Sequence, residues 1–383
     1  MTTEALPSAP IASALSPRDL CGFATSFLLD VVRGDDALFP YSTTVREGAY
    51  VNDFEHPAAI RYTINSLLGL KAAASREPRK ADPAEVEQLV DSFVRHHWDD
   101  VRNPGDLGLA LVLLTAEGST GPHAEEALRG VRAAMRAPAL GRLTMQDVSW
   151  MLWGACAAAH GGADGAHALA VELGDLVLAR FVDPGSRFPR HDLSRYRRDV
   201  VSFGALAYFL RAMFELARLT GDPRAMRAFE DGVATTVALQ GDLGEWPWLI
   251  SVRRRIPLDC YPVFAVHQDS MSMLFLLPAL DAGLPVARAI EKSWAWVLGH
   301  NELGTPMTRD DPFVAFRSIE RAEQFPRARR YLRSVPRSFT GSAGRTAGGR
   351  GVRINPECRS YHLGWVLYVW SGREQLPWMS GST

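Results

Sequence analysis

The chain has 383 residues, of which 47% are hydrophobic and 22% charged, enough apolar material for a substantial core. Its formal net charge of -1 offers no global field for nucleic acid or an acidic membrane, which argues against a DNA-binding role. The four cysteines, Cys21, Cys156, Cys260 and Cys358, are widely separated and form no CxxC pair, which argues against a zinc ribbon or a disulfide scaffold.

Helical periodicity dominates from the start. The stretch Met1 to Leu15 has no basic n-region and no sustained apolar run, so no signal peptide is expected and a cytoplasmic location is. Ser16-Pro17-Arg18-Asp19 then reads as a helix start: a capping hydroxyl, a proline where no N–H is needed, and an acid at the positive end of the helix dipole. Asp82-Pro83-Ala84-Glu85, Thr144 with Asp147, and Asp222-Pro223 repeat that logic. The pattern predicts about twelve helices, centred near residues 25, 65, 90, 110, 130, 152, 172, 207, 231, 273, 292 and 366. The most apolar stretch, Met273 to Leu280, is too short to span a bilayer. Six helical hairpins suggest an all-α, (α/α)6 toroid spanning residues 1–383 as one domain. The rivals are a solenoid, for which no clean repeat is present, and two successive helical domains.

Between the predicted helices lie four polar clusters. The first is His191-Asp192-Leu193-Ser194-Arg195-Tyr196-Arg197-Arg198-Asp199, just before the helix carrying Tyr208. Arg195, Arg197 and Arg198 suit bidentate binding of a diphosphate, uronate or sulfate; the competing reading is ion pairing with Asp192 and Asp199. The second is Gln240-Gly241-Asp242-Leu243-Gly244-Glu245-Trp246, a Q-x-x-x-G-x-W run in which Gln caps, Gly turns and Trp packs. The third runs from Tyr261 through Phe264 and His267 to Asp269, at the start of a very apolar helix. There the dipole favours an ionised Asp269, and His267 is expected to hold that carboxylate. The fourth is Glu357-Cys358-Arg359-Ser360-Tyr361-His362-Leu363-Gly364-Trp365, leading into the last helix. Polar groups just before apolar helices also occur at Asn52-Asp53 and near Asp106. In a toroid such groups gather at one mouth, which is the main reason to expect a site. From about 327 to 353 the chain carries eight arginines and no acid, and reads as a flexible Arg/Gly-rich insertion, either a basic lid or a solvated loop.

The Q-x-x-x-G-x-W run resembles the QW motif of the terpenoid cyclase and protein prenyltransferase superfamily, whose members are α/α toroids. There the motif is structural, so the resemblance implies the fold more than the reaction. The stretch Arg195 to Trp296, with Glu357 to Trp365, also resembles an uncharacterised bacterial family associated with exopolysaccharide gene neighbourhoods. That likeness rests on R-Y-R, F-G, Q-x-x-x-G-x-W, Y-P-V-x-x-V-H-Q and E-C-R-x-Y, and implies a toroid while leaving the reaction open.

Three functions fit these residues. The leading expectation is a terpenoid-cyclase-like enzyme cyclising a prenyl substrate in a cavity lined by Trp150, Trp153, Tyr208, Trp246, Trp248, Tyr261 and Phe264, whose rings stabilise cations. Asp269, His267 and Tyr261 would be its catalytic groups and the arginines would hold a diphosphate. The absence of D-x-D-D weighs against it. The alternative is a carbohydrate-active lyase, epimerase or hydrolase on an acidic sugar, with Tyr261, His267, Arg195, Arg197 and Tyr361 at work. The third is a non-catalytic helical binding protein. In each case the partner is a small molecule, with no nucleic acid and no membrane span, and the sequence leaves the oligomeric state open. No cofactor is expected beyond magnesium if a diphosphate is bound. Asp99-Asp100-Val101-Arg102-Asn103 looks superficially like a magnesium motif but reads better as a helix end. G-x-S-x-G, P-loop and H-E-x-x-H motifs are absent.

Overall fold

A computed structural model describes residues 15–115, 121–136, 138–194, 197–322 and 351–373. Within them lie twelve α-helices: α1 (Pro17–Ser26), α2 (Ala59–Arg76), α3 (Pro83–His97), α4 (Pro104–Thr115), α5 (Pro122–Ala134), α6 (Met145–His160), α7 (Ala166–Leu176), α8 (Phe203–Thr220), α9 (Pro223–Val237), α10 (Met273–Asp281), α11 (Ala287–Val297) and α12 (Ser360–Trp370). Each predicted centre falls on one of them. The cap readings hold in detail. Ser16 and Thr144 form capping boxes with Asp19 and Asp147, and Asp82 and Asp222 accept from the second amide of α3 and α9. Asp99 and Asp100 lie in a 3-10 turn that ends α3, as expected of a helix end.

The helices form an α/α toroid. An inner ring, α2, α4, α6, α8, α10 and α12, packs neighbour on neighbour, and α12 packs back on α2. The outer ring consists of α3, α5, α7, α9 and α11 behind their partners, with α1 covering α12. Inner helices are apolar almost all round; Leu109 to Leu113 of α4 are all buried. The outer helices are amphipathic, as in α9, where Ala225, Phe229, Val233 and Thr236 turn inward.

Two glycine pairs set the closest approaches in the inner ring. A Cβ on Gly108 of α4 would lie 2.4 Å from the Trp150 carbonyl oxygen of α6, and one on Gly154 would lie 2.2 Å from the Gly108 oxygen. Between α2 and α12, a Cβ on Gly69 would lie 2.1 Å from the Gly364 oxygen, and one on Gly364 would lie 2.3 Å from the Asn65 oxygen. Only residues without a side chain let these backbones touch.

Strands were not legible. Among the described residues ten short ones occur: β1 (Ser42–Arg46), β2 (Ala49–Asp53), β3 (Val200–Ser202), β4 (Leu249–Ser251), β5 (Pro257–Asp259), β6 (Val263–Phe264), β7 (Thr308–Asp310), β8 (Phe313–Ala315), β9 (Ser318–Arg321) and β10 (Val352–Asn355). They make hairpins β1-β2 and β7-β8 and the three-stranded sheets β3-β4-β5 and β10-β9-β6, all antiparallel. Two to five residues are too few to show alternation in the sequence. Their placement matters: β2, β3, β6 and β10 each precede the N-terminus of an inner helix. Thr43 and Cys358 exchange backbone hydrogen bonds of 2.9 and 2.8 Å, joining β1 to the segment before α12.

The Q-x-x-x-G-x-W run is a packing clasp. Gln240 Nε2 donates to the carbonyls of Gly244 and Ala289, both at 3.0 Å, and to Ser293 Oγ at 3.1 Å. Trp246 Nε1 donates to the same hydroxyl at 2.9 Å, with the indole fully buried against Phe203. Trp246, expected to line a substrate cavity, is instead part of the core.

No described helix is long and apolar enough to cross a membrane. Most of the Arg/Gly-rich segment, and Arg195, lie outside the described residues.

Gly364→Ala or Gly108→Ala forces backbone apart on both sides and is expected to cost at least ~1–3 kcal/mol by overpacking. Gly22→Ala in α1, whose Cβ meets nothing within 4 Å, should be neutral or stabilising. Thermal melts of the three variants test this; equal melting temperatures would remove the close-approach role. Trp246→Ala is expected to cost about 3–5 kcal/mol, read by urea unfolding; a wild-type midpoint would contradict the clasp.

Candidate functional site

The inner helices run the same way round the ring, so their first turns share one mouth. At that mouth α2 presents Arg61 and Tyr62, α4 Asp106, α6 Asp147 and Trp150, α8 Phe203 and Tyr208, the turn before α10 His267 and Asp269, and α12 Tyr361 and His362. Each group follows a loop or strand that delivers polar residues before the apolar run begins.

The turn before α10 is a π-helical turn, His267–Met271, closed by Ser272 N donating to His267 O at 3.2 Å. Such a turn holds one residue more than an α-turn and is common at functional sites. All five of its residues are buried. Asp269 is 2% exposed, and both its oxygens lie 2.8 Å from His362 Nε2. Trp370 Nε1 donates to the Asp269 carbonyl at 2.5 Å, so the residue is gripped by α12 twice.

This corrects one expectation. His267 does not hold Asp269; His362, from the far end of the chain, does. His267 lies instead in an aromatic nest, parallel to Trp248 at 5.7 Å and against Phe203 and Phe264 at 4.8 and 5.0 Å. Its Nδ1 is buried with no hydrogen-bond partner among the described residues. Burial, helped by the charge of nearby His362, pushes its pKa down to about 3. His267 is therefore a neutral imidazole, whereas the ring of His362 is bonded to a carboxylate.

Charged groups on the rim are paired. Arg61 Nε meets Asp106 Oδ1 at 2.5 Å, and its guanidinium lies 5.0 Å from the Trp150 ring centre. Burial pushes the Asp106 carboxyl up, and Arg61 opposes that rise. Glu357 bridges Arg317 at 2.7 Å and Arg359 at 2.5 Å. Burial raises the Glu357 carboxyl, but the two arginines outweigh it and hold it below the usual carboxylate range. Arg359 also lies over Tyr41 at 3.8 Å. From Tyr41 the rings of Tyr62 and Tyr361 step inward, at 5.1 and 4.4 Å. Burial pushes the phenols of Tyr62, Tyr361 and Tyr208 up, so they stay protonated and can donate hydrogen bonds.

The sequence-derived residues divide clearly. Asp269, His267, Tyr208, Trp248, Phe264 and Tyr361 come together at the mouth. Tyr261 does not join them: it is buried in a second, smaller core with Trp296 and Met307, and its hydroxyl donates to Glu302 at 3.1 Å. Arg197 is exposed and meets Asp192 at 3.4 Å, as in the ion-pair reading, and Arg198 is exposed. His362, Arg61, Asp106, Arg317, Glu357 and Arg359 were missed as site residues. Only the habit of polar residues preceding apolar helices pointed toward them. Among the described residues, no group of His, Cys, Asp or Glu could hold a metal ion.

No family model matches the sequence, and no curated protein is similar to it. The fold defines the class: solved α/α toroids align along almost the whole chain. An α-1,6-mannanase of Salegentibacter sp. has a TM-score of 0.59 at 11% identity, covering 93% of this chain and 98% of its own. An unsaturated glucuronyl hydrolase of Bacillus sp. has a TM-score of 0.57 at 12% identity, covering 94% and 96%. A cellobiose 2-epimerase of Bacillus thermoamylovorans has a TM-score of 0.57 at 13% identity, covering 91% and 95%. At these identities the likeness establishes the toroid.

These neighbours overturn the terpenoid-cyclase expectation, since the three solved toroids just named are enzymes of carbohydrate substrates. The interior agrees physically. Trp150 and Trp153, expected to face a carbocation, already carry the guanidinium groups of Arg61 and Arg211 at 5.0 and 5.1 Å, and Trp246 is core.

The depressed His267 predicts a pH effect. An unfolded histidine takes up a proton near pH 6.5 while folded His267 refuses one until about pH 3. Stability should therefore be full above pH 6.5 and fall below it, by up to about 1.4 kcal/mol per pH unit. His267→Phe should flatten the pH 4–7 profile of the melting temperature; an unchanged slope would place the acid sensitivity elsewhere.

Proposed function

We propose that this chain is a carbohydrate-active enzyme that works by proton transfer at carbon, an epimerase or isomerase of a small sugar. The observation that carries this reading is the pair of unlike imidazoles. His362 is fixed by Asp269, which can balance a positive charge when the ring accepts a proton. His267 is neutral and lies within electrostatic reach of His362. Two bases whose surroundings differ this much can remove a proton and return one.

The chemistry follows from that arrangement. With an open-chain sugar in the mouth, one imidazole takes the proton beside the carbonyl, leaving an enediolate. In that scheme neutral His267 is the ring that takes the proton, and His362, entering the step as an imidazolium balanced by Asp269, delivers one to the opposite face, inverting the centre; solvent then carries the proton from His267 back to His362. The Arg61 guanidinium and protonated phenols such as Tyr208 and Tyr361 supply donors for the developing oxygen charge. Aromatic rings at the rim, Trp248 and Phe264 among them, suit the apolar faces of a sugar.

Hydrolysis is less well supported. It needs two available carboxyl groups flanking the glycosidic bond. Here Asp106 is held by Arg61, Asp147 caps α6 with Thr144, Asp269 is held by His362, and Glu357 lies between two arginines. The same pairing argues for a neutral sugar over the acidic one expected from sequence, because the described rim arginines Arg61, Arg317 and Arg359 already have carboxylate partners. The cellobiose 2-epimerase among the structural neighbours adds weight, and the glucuronyl hydrolase makes a uronate arm necessary in the assay.

The test is solvent-exchange NMR. Purified protein in D2O is given reducing mono- and disaccharides, neutral and uronate. The expected result is deuterium at the carbon beside the carbonyl together with an epimer. His362→Asn and His267→Asn should each lower the rate by roughly 10²–10⁴-fold. Release of new reducing ends without exchange would replace this reading with hydrolysis, and full activity in both variants would sink the assignment of the bases.

A further inference from the structure

The opposite end of the ring carries a cavity that the mouth chemistry does not use. There the inner helices end, and a depression of about 780 Å³ is lined by Arg76, Arg211, Arg218, Arg373 and Tyr368, with Asp281 at one side. A second hollow of about 350 Å³ shares Arg76, Arg211 and Tyr368 with it and adds Lys71, His160 and Trp153. We propose that this basin is a second binding site, for a small anion bearing phosphate or carboxylate groups.

Arginines at helix C-termini have an ordinary duty, neutralising terminal carbonyls. Arg76 does that, its Nη1 donating to the Tyr368 and Ser371 carbonyls at 2.9 and 3.4 Å; Arg211 Nη1 donates at 3.5 Å to the Leu274 carbonyl inside α10, which Pro278 four residues on leaves without an amide partner. The count of charges exceeds the duty. Four guanidinium groups face two carboxylates. Glu215 is shared between Arg211 at 2.5 Å and Arg218 at 3.7 Å, and Asp281 takes Arg373 at 2.5 Å. Arg76 and Arg218 are exposed to the basin's solvent, whereas Arg211 Nε is buried with no hydrogen-bond partner among the described residues. Guanidinium forks of this kind bind phosphate and carboxylate in bidentate fashion. Arg76 and Arg211 each lie 5.9 Å from the Tyr368 ring, which forms an aromatic wall between them.

The basin also touches the packing that supports the mouth. Arg211 covers Trp153, which lies parallel to Trp365 at 5.9 Å, and Trp365 neighbours Tyr208 at 5.8 Å.

Isothermal titration calorimetry with inorganic phosphate, pyrophosphate and citrate tests the site. Saturable binding of at least one probe is expected. Arg76→Gln combined with Arg218→Gln should weaken it by roughly tenfold or more, the equivalent of about 1.4 kcal/mol, while Arg317→Gln at the mouth should leave it unchanged. If the double variant is destabilised, Arg218→Gln alone, on an exposed side chain, should still weaken binding. No saturable heat from any probe would overturn the proposal. Binding lost in Arg317→Gln but retained in the basin variants would assign the anion to the mouth and overturn it equally.

Discussion

The architecture depends on backbone touching backbone inside the inner ring. Where Gly108 and Gly154 meet, and where Gly69 and Gly364 meet, no side chain separates the helices. A glycine within a helix costs about 0.5–1 kcal/mol relative to alanine. That cost is offset only because the closer contact buries the large apolar faces of α2, α4, α6 and α12. The two contacts hold their helices at fixed depth as well as fixed distance. Arg61, Asp106 and Asp147 are thereby brought to one level, and Tyr361 and His362 are set beside Tyr62. A ring packed through leucines at these points would be wider, and the first turns of its helices would not converge.

The mouth is built by a division of labour within each inner helix. The first turn is polar and the rest is apolar, so the core anchors the element while its end remains free for chemistry. Short strands set the angle at which each first turn is approached. Within this frame nearly every charged group has a partner from another element: Arg61 with Asp106, His362 with Asp269, Glu357 with both Arg317 and Arg359. Such cross-element pairs keep buried charge compensated and orient the side chains before any ligand arrives.

What the sequence disclosed follows from how local each signal is. The helices and their caps depend on residues three or four apart, so the helix centres were legible, and so were the starts capped by Ser16, Asp82, Thr144 and Asp222. Gln240, Gly244 and Trp246 were legible as a packing device for the same reason, although their partner Ser293 was not. Asp269 and His267 stood out as neighbours, and proximity in sequence suggested that they bind each other. In the π-helical turn they diverge, and Asp269 meets a histidine from α12. Tyr261, three residues before Phe264, falls into a different core altogether. Pairs formed across the ring, such as Arg61 with Asp106, leave no trace in local spacing, and strands of two to five residues are too short for alternation to register.

The last described helix is an inner one, and it fits between α10 and α2 while being covered by α1. During synthesis on the ribosome, five hairpins emerge before α12 exists. Until then the face of α2 around Asn65 and Gly69 stays open to water, and Asp269 has no imidazole. The ring is thus a clasp fastened by α12, and the nascent chain carries an uncovered apolar seam until that helix has been made.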